Sequence, residues 1–327
     1  LGVAAIMSIL ESKDIAHPAI EALFTIDEET GMTGALGLKP GQLTGEILLN
    51  LDTEEDDEID IGCAGGIDVT ASANYTVTST SSNFVKIEIK GLQGGHSGMD
   101  IHKGFGNSNV ILGRLLYAGI SNEIQLVSID GGGLRNAIPR EAHALVAVNN
   151  ASEYLQKLET LKSDILEEFA SVEKDLEINF ATVENTENGL SVEDSKKIIL
   201  ALKSAHNGVY RTSPDVADLV EASNNIARVE LKNGGLKILN LTRSSVESTK
   251  MAVAEQLQSV FELAGMQVEF SGSYPGWKPK PGAEIIKIMT EIYEKDFGAK
   301  PHVVACHAGL ECGIIGANYP KMEMVSF

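Results

Sequence analysis

Apolar and polar positions follow two textures along the chain. Two early runs, residues 20–26 and 47–51, are almost continuously apolar and stop at acids, Asp27-Glu28-Glu29 and Asp52. Such runs suit strands buried on both faces, and predict a mostly parallel sheet covered by helices. Gly34, Gly37, Pro40 and Gly41 punctuate the connection between them. In sheets of this kind chemistry collects beyond the carboxyl ends of the strands, where both acidic groups are expected. Residues 1–10 read as a buried apolar helix, too short for a bilayer span and followed by Glu11-Ser12-Lys13-Asp14.

From about residue 67 the texture changes. Val85, Ile87 and Ile89 alternate with Lys86, Glu88 and Lys90, which predicts a half-exposed strand. A helix over 106–117, strands over 124–129 and 144–148, a helix over 152–169 and a strand over 176–183 complete a βαββαβ unit of ferredoxin-like type. A second, similar half follows: a helix over 192–205, strands over 226–231 and 236–241, a helix over 249–263 ended by Gly265, and a strand over 266–270. The halves are too dissimilar to count as a sequence repeat. Tyr274-Pro275-Gly276-Trp277-Lys278-Pro279 then forms a stiff crossing. A helix over 283–297 capped by Gly298, and strands over 302–305 and 322–327, restore the first texture. The expected fold class is therefore α/β and discontinuous. Residues 1–66 and 277–327 form one domain with a mostly parallel sheet, and residues 67–276 form an inserted α+β, ferredoxin-like lid.

Composition narrows the function. The 327 residues, 43% hydrophobic, are enough for one large core or two moderate ones. A formal net charge of -20 argues against a nucleic-acid surface, which needs clustered Lys and Arg; Lys196-Lys197 sits among acids and reads as a solvated helix face. No apolar run is long enough to cross a membrane. The three cysteines, Cys63, Cys306 and Cys312, lack disulfide or zinc-knuckle spacing and read as buried thiols in a reducing, cytoplasmic setting.

Candidate chemistry begins with Glu28 and Glu29. Adjacent carboxylates point in different directions, so one can bind a metal while the other moves a proton; the plain alternative is a solvated acidic turn. Asp52 opens an acidic run through Glu58 that otherwise reads as a hydrated loop. His96, in Gly94-Gly95-His96-Ser97-Gly98, projects from a sharp turn and can polarise a carbonyl, with His102 as a structural companion. His307 follows a predicted strand, in Cys306-His307-Ala308-Gly309-Leu310-Glu311. Arg243 can fork onto a carboxylate, and Asn136 and Arg140 occupy a turn rich in donors; each also suits an ordinary surface contact. Gly131-Gly132-Gly133 lacks P-loop or dinucleotide spacing, and no Gly-x-Ser-x-Gly elbow exists.

Taken in order, Ile26-Asp27-Glu28-Glu29-Thr30-Gly31-Met32, Leu51-Asp52-Thr53-Glu54-Glu55, Gly62-Cys63-Ala64-Gly65-Gly66, Gly94-Gly95-His96-Ser97-Gly98, Arg135-Asn136-Ala137-Ile138-Pro139-Arg140, Tyr274-Pro275-Gly276-Trp277 and His307-Ala308-Gly309-Leu310-Glu311-Cys312-Gly313 resemble the aminoacyl-histidine, or cytosol non-specific, dipeptidases of zinc peptidase family M20. The resemblance spans essentially the whole chain. It implies a zinc-peptidase-like catalytic domain with an inserted lid, and hydrolysis of dipeptides using two zinc ions. Glu28 would be the general base and acid, Glu29 and Asp52 would bind one metal each, and His96 would steady the oxyanion. Asn136, Arg243, His307 and Glu311 would line the substrate, Arg243 at its carboxylate and Glu311 at its amine. The resemblance also admits a homodimer through the lid, with His96 acting across it. Other readings are an amidohydrolase acting on N-acyl amino acids and an inactive peptide-binding or dimerisation module.

The resemblance places a His-x-Asp ligand segment and a bridging Asp before Leu1, and a last His ligand after Phe327. Leu1-Gly2-Val3-Ala4-Ala5-Ile6 opens without a capping residue, and residues 322–327 read as a strand that stops without a turn. The expectation is an incomplete form of the enzyme, inactive by itself.

Overall fold

The apolar run at 47–51 and the alternating runs become strands here, and their order along the chain sets the architecture. The computed structural model describes residues 1–53, 55–80, 83–185 and 187–327, Thr30 by its backbone alone. The chain opens with helices α1 (Gly2–Glu11), α2 (Glu28–Gly31) and α3 (Thr33–Gly37), then strands β1 (Ile47–Asn50), β2 (Glu58–Cys63) and β3 (Gly65–Asn74). Next come β4 (Phe84–Lys90), β5 (Gly95–His96), α4 (Ser108–Ala118), β6 (Gln125–Gly132), β7 (Ala137–Ile138), β8 (Ala142–Ala147), α5 (Ala151–Phe169) and β9 (Glu177–Val183). They lead to α6 (Val192–Ser204), β10 (Gly208–Thr212), β11 (Val220–Lys232), β12 (Gly235–Ser244), α7 (Glu247–Leu263) and β13 (Gln267–Tyr274). The last elements are α8 (Glu284–Phe297), β14 (His302–Cys306), α9 (Glu311–Asn318) and β15 (Glu323–Ser326).

The first and last elements share a sheet in the order β1-β15-β2-β14, in which β1 runs parallel to β15 and β14 parallel to β2. The middle of the chain forms a nine-stranded antiparallel sheet, β13-β3-β12-β11-β6-β8-β4-β9, with β10 added alongside β11. It consists of two ferredoxin-like halves. In one, β4, β6, β8 and β9 stand in the order β9-β4-β8-β6; in the other, β3, β11, β12 and β13 stand in the corresponding order β13-β3-β12-β11. The halves join where Leu231 of β11 pairs with Ile129 of β6. The first half is inserted inside the second, between β3 and α6.

Alternation explains why these strands hold. Val85, Ile87 and Ile89 are fully buried and meet Ile111, Leu115, Leu158, Ile199, Leu257 and Phe261 from the covering helices. Each such side chain contributes about 1.5–3 kcal/mol of burial energy. α4 lies against α5 and α6, and α7 against β3 and β12. Asn107, Asn150 and Ser191 cap α4, α5 and α6 with side-chain acceptors, and Gly265 ends α7 in the left-handed region (φ 83). The smaller sheet has its own cores, one around Cys63, Trp277, Cys312 and Met324, the other around Ile59, Ile61, Ile286 and Val325. Burial raises the Cys63 thiol to about 12 and Cys306 to about 11, so these cysteines pack as neutral thiols.

The two crossings between the sheets pair with each other. Cys63 N donates to Trp277 O at 3.0 Å and Trp277 N to Cys63 O at 2.9 Å. A Cβ on Gly65 would lie 2.4 Å from Gly276 N, so the crossings touch only because glycine stands there.

Two expectations fail. Residues 20–26 form no strand: most of them are exposed and no described strand pairs with them. The segment is held by side chains instead, with Glu21 Oε2 accepting from Thr44 N and Gly45 N at 2.8 Å. Glu28 therefore opens a helix and does not end a strand. The other failure is α1, which buries none of its residues and leaves Val3, Met7 and Leu10 exposed. Among the described residues no helix is long and apolar enough to cross a membrane. Glu54, in the acidic run after Asp52, lies outside the described residues.

Candidate active site

Glu28 and Glu29 sit on a single helical turn bounded by two left-handed residues, Asp27 (φ 63) and Met32 (φ 52). Asp tolerates that region because its short side chain bonds locally; here Asp27 Oδ2 accepts from Thr33 Oγ1 at 2.7 Å. Gly34 N returns to Ile26 O at 3.1 Å, and a Cβ on Gly34 would lie 2.5 Å from Ile26 N. The turn is thereby folded tightly beside its own approach. Asp52 follows β1 at the end of the smaller sheet, and Glu311 opens α9. Glu311 Oε2 accepts from Thr25 Oγ1 at 2.7 Å, while its Oε1 is buried without a partner. Partial burial, followed by the charges of Asp52, Glu29 and Glu311, holds the Glu28 carboxyl above the usual range. All four acids thus act on one spot.

The lid presents the opposite chemistry. His96 lies on a two-residue ribbon, paired with Ala137. Its amide donates to Asp100 Oδ2 at 2.7 Å. Its ring Nδ1 accepts from Met99 N at 3.0 Å and Gly98 N at 3.3 Å, so the neutral ring carries its proton on Nε2. Burial, and then the Arg243 charge, lower its pKa and keep it neutral near pH 7. Arg243 on β12 is 4% exposed; its Nη1 donates to Tyr274 Oη at 3.0 Å, and its Nε is buried without a partner. Arg243 Nη2 stands 3.4 Å from His96 Nε2. With the His96 proton on Nε2, both nitrogens are donors, so the lid presents two donor groups side by side.

Asn136 belongs to the same cluster. Its carbonyl accepts from Ser97 N at 2.8 Å, and its side chain is exposed. Asn225 Nδ2 fixes this turn by donating to Arg135 O at 3.1 Å and Ala137 O at 2.8 Å. Arg135 ties the turn to the neighbouring strands through Asn240 O, Thr70 Oγ1 and Asp68.

The loop from His307 to Glu311 joins the two sides. His307 is 5% exposed, and its Nε2 lies 2.8 Å from Ser223 Oγ on β11. Its ring therefore ties the loop to the lid. Burial, with Arg243 next, lowers its pKa to about 3. A Cβ on Gly98 would lie 2.1 Å from His307 O, so the His96 loop rests directly on the His307 backbone. A Cβ on Gly309 would lie 3.1 Å from the Tyr274 ring and 3.5 Å from the Met32 methyl. The acidic turn and the donor cluster thus meet across this loop. Tyr274 and Ser223 carried no chemical signal in the sequence, because each matters only through the partner the fold gives it.

Fold and site together define an α/β protein with a doubled ferredoxin-like lid, in which an acidic turn and the Arg243–His96 donors meet at the loop from His307 to Glu311. Residues 87–177 match the family description "Peptidase dimerisation domain". The chain is 40% identical over 332 residues to the cytosol non-specific dipeptidase of Escherichia coli (strain K12), covering 100% of this chain and 68% of that protein. It superimposes on the crystal structure of aminoacylhistidine dipeptidase from Vibrio alginolyticus with a TM-score of 0.95 at 42% identity, over 100% of this chain and 68% of that one. The chain belongs to the M20 peptidases, among the aminoacyl-histidine, or cytosol non-specific, dipeptidases.

This family implies a metal cofactor. The charges of Asp52, Glu29 and Glu311 bear on the Glu28 carboxyl, and a cation would relieve that, so the acidic turn fits a metal in charge and donor type. Among the described residues, no group of three or more His, Cys, Asp or Glu is placed to hold one. Glu29 and Asp52 therefore fit as contributors to a ligand set, not as a full set, since catalytic zinc takes three protein ligands.

Proposed function

We propose that the M20 enzyme carrying these residues hydrolyses free dipeptides with two zinc ions, to each of which Glu29 or Asp52 would contribute one ligand. When bound, the metal supplies Lewis-acid polarisation. Glu28 takes the proton of the attacking water and returns it to the departing amine. His96 donates its Nε2 proton to the carbonyl oxygen as negative charge grows there. Arg243 pairs with the substrate carboxylate through Nη2 and Nε, and the Asn136 amide is a second donor to the substrate. Glu311 accepts the free ammonium on its unpartnered Oε1, and His307 walls the site between lid and acids. A dipeptide carries opposite charges at its two ends, so groups matching both ends select for length.

The observation that carries this reading is the placement of the acidic turn and the Arg243–His96 donors on either side of the loop from His307 to Glu311. The division into catalytic parts 1–66 and 277–327 and a lid over 67–276, a homodimer through that lid and a cytoplasmic location belong to the same proposal. The location rests on the relative's name alone. The readings as an N-acyl amidohydrolase or an inert module have no comparable support.

The test is turnover of a dipeptide against its N-acetylated form by the zinc-supplied enzyme. The free dipeptide should be strongly preferred, because acetylation removes the charge Glu311 pairs with. Equal or faster cleavage of the acetylated compound would overturn the assignment.

A further inference from the structure

Arg243, Gly66 and Tyr274 stand in one row across three strands: Arg243 of β12 pairs with Gly66 of β3, and Gly66 pairs with Tyr274 of β13. Any side chain at Gly66 would separate the outer two. A Cβ there would lie 2.7 Å from Tyr274 Cε1 and 2.8 Å from its Oη, so the phenol lies across the bare glycine. It reaches Arg243 Nη1 at 3.0 Å.

Tyr274 is itself held firmly. Lys250 of α7 is fully buried, and its Nζ donates to Tyr274 O at 2.8 Å and to Ser273 Oγ at 3.2 Å, with Glu247 at 2.9 Å as counter-charge. A buried ammonium is costly unless paired and hydrogen-bonded, so three partners at this point make a rigid anchor. The same tyrosine ring packs against Gly309 in the loop that carries His307 and Glu311. One side chain therefore touches the lid's guanidinium, the first crossing and the catalytic loop.

We infer that Tyr274 is a positioning residue that sets selectivity for a free substrate carboxylate. Its hydroxyl holds Nη1 aside, which leaves Nη2 and the unpartnered Nε of Arg243 directed at the substrate, and Gly66 is the gap that permits it. This rests on the reading of Arg243 as the carboxylate's partner.

The experiment compares KM and kcat for a dipeptide and for its C-terminal amide, in the metal-loaded wild type, Tyr274→Phe and Arg243→Lys. Phenylalanine keeps the ring on Gly66 and Gly309 and removes only the hydroxyl. Tyr274→Phe should raise KM for the free dipeptide about tenfold, with kcat within about twofold and the amide's KM nearly unchanged. Unchanged KM for both substrates, or an equal rise for both, would overturn the inference. Arg243→Lys separates the two claims. A rise confined to the free dipeptide keeps the Arg243 reading, so that a silent Tyr274→Phe refutes Tyr274 alone; an equal rise for both substrates refutes the reading of Arg243.

Discussion

Glu173, in the turn between α5 and β9, is 5% exposed and makes two bonds that govern the His96 loop. Its Oε2 accepts from Gln93 N and its Oε1 from Gly106 N, each at 2.7 Å. These amides bracket residues 93–106, the segment that carries His96 and rests on His307. Glu173→Gln keeps the shape but retains one acceptor, and turns an NH2 group toward a backbone N–H. Hydrogen bonds to a carboxylate contribute about 1.5–3 kcal/mol each, and a buried donor left unpaired costs about 1–3 kcal/mol, so local opening should become easier by at least about 2 kcal/mol. Amide hydrogen exchange reads this directly, because local opening sets the rate. Exchange at Gln93 or Gly106 should quicken about 30-fold or more, while amides in β4 and β8 keep their protection. Rates within threefold of wild type at both positions would refute the clamp.

Two further outcomes follow from the loop that joins the domains. His307 has a folded pKa of about 3 against about 6.5 unfolded, so between these values the unfolded chain binds a proton that the folded chain does not. Its contribution is fully present above about pH 6.5 and lost as pH falls toward 3; the stability advantage of wild type over His307→Gln should shrink by about 3 kcal/mol from pH 7.5 to pH 4.5, and denaturant unfolding showing no such change would contradict it. Gly98→Ala should lower kcat/KM at least tenfold while leaving secondary structure intact, because the new Cβ would sit 2.1 Å from His307 O and push the His96 loop off its support; circular dichroism and kinetics on one preparation check both halves.

Much of the lid was legible because its strands and helices carry clean periods. The alternation through Val85, Ile87 and Ile89 and the Gly265 stop both reappear in the structure. β3 escaped notice although Ile67, Val69 and Ala71 alternate with Asp68, Thr70 and Ser72, since its small residues dilute the contrast. It is also the first strand of a half whose other elements begin more than a hundred residues later, and local pattern cannot reveal such nesting. β11 was read from residue 226, but it begins at Val220. Glu221, Ser223, Asn224 and Asn225 are buried there, with Asn224 and Asn225 bonded to His206 O, Arg135 O and Ala137 O. Hydropathy counts such residues as surface, whereas satisfied hydrogen bonds let them sit inside. Residues 20–26 fail the opposite way: the run is apolar, yet most of it is exposed and no described strand pairs with it.

In the site, glycine-flanked His96 and the Glu28-Glu29 pair stood out because sharp turns and adjacent charges are local features. Arg243 looked like any lone arginine. Its burial, its tyrosine partner and its approach to His96 are products of strand register, which only the folded sheet supplies.

In the proposed reaction Glu28 transfers the proton, while other residues, Arg243 and Glu311, bind the two ends of the substrate. Glu28→Gln, assayed on a free dipeptide with zinc present, tests it most directly. Its kcat should fall about a thousandfold or more, with KM within a few-fold of wild type. A kcat within about fivefold of wild type would contradict it.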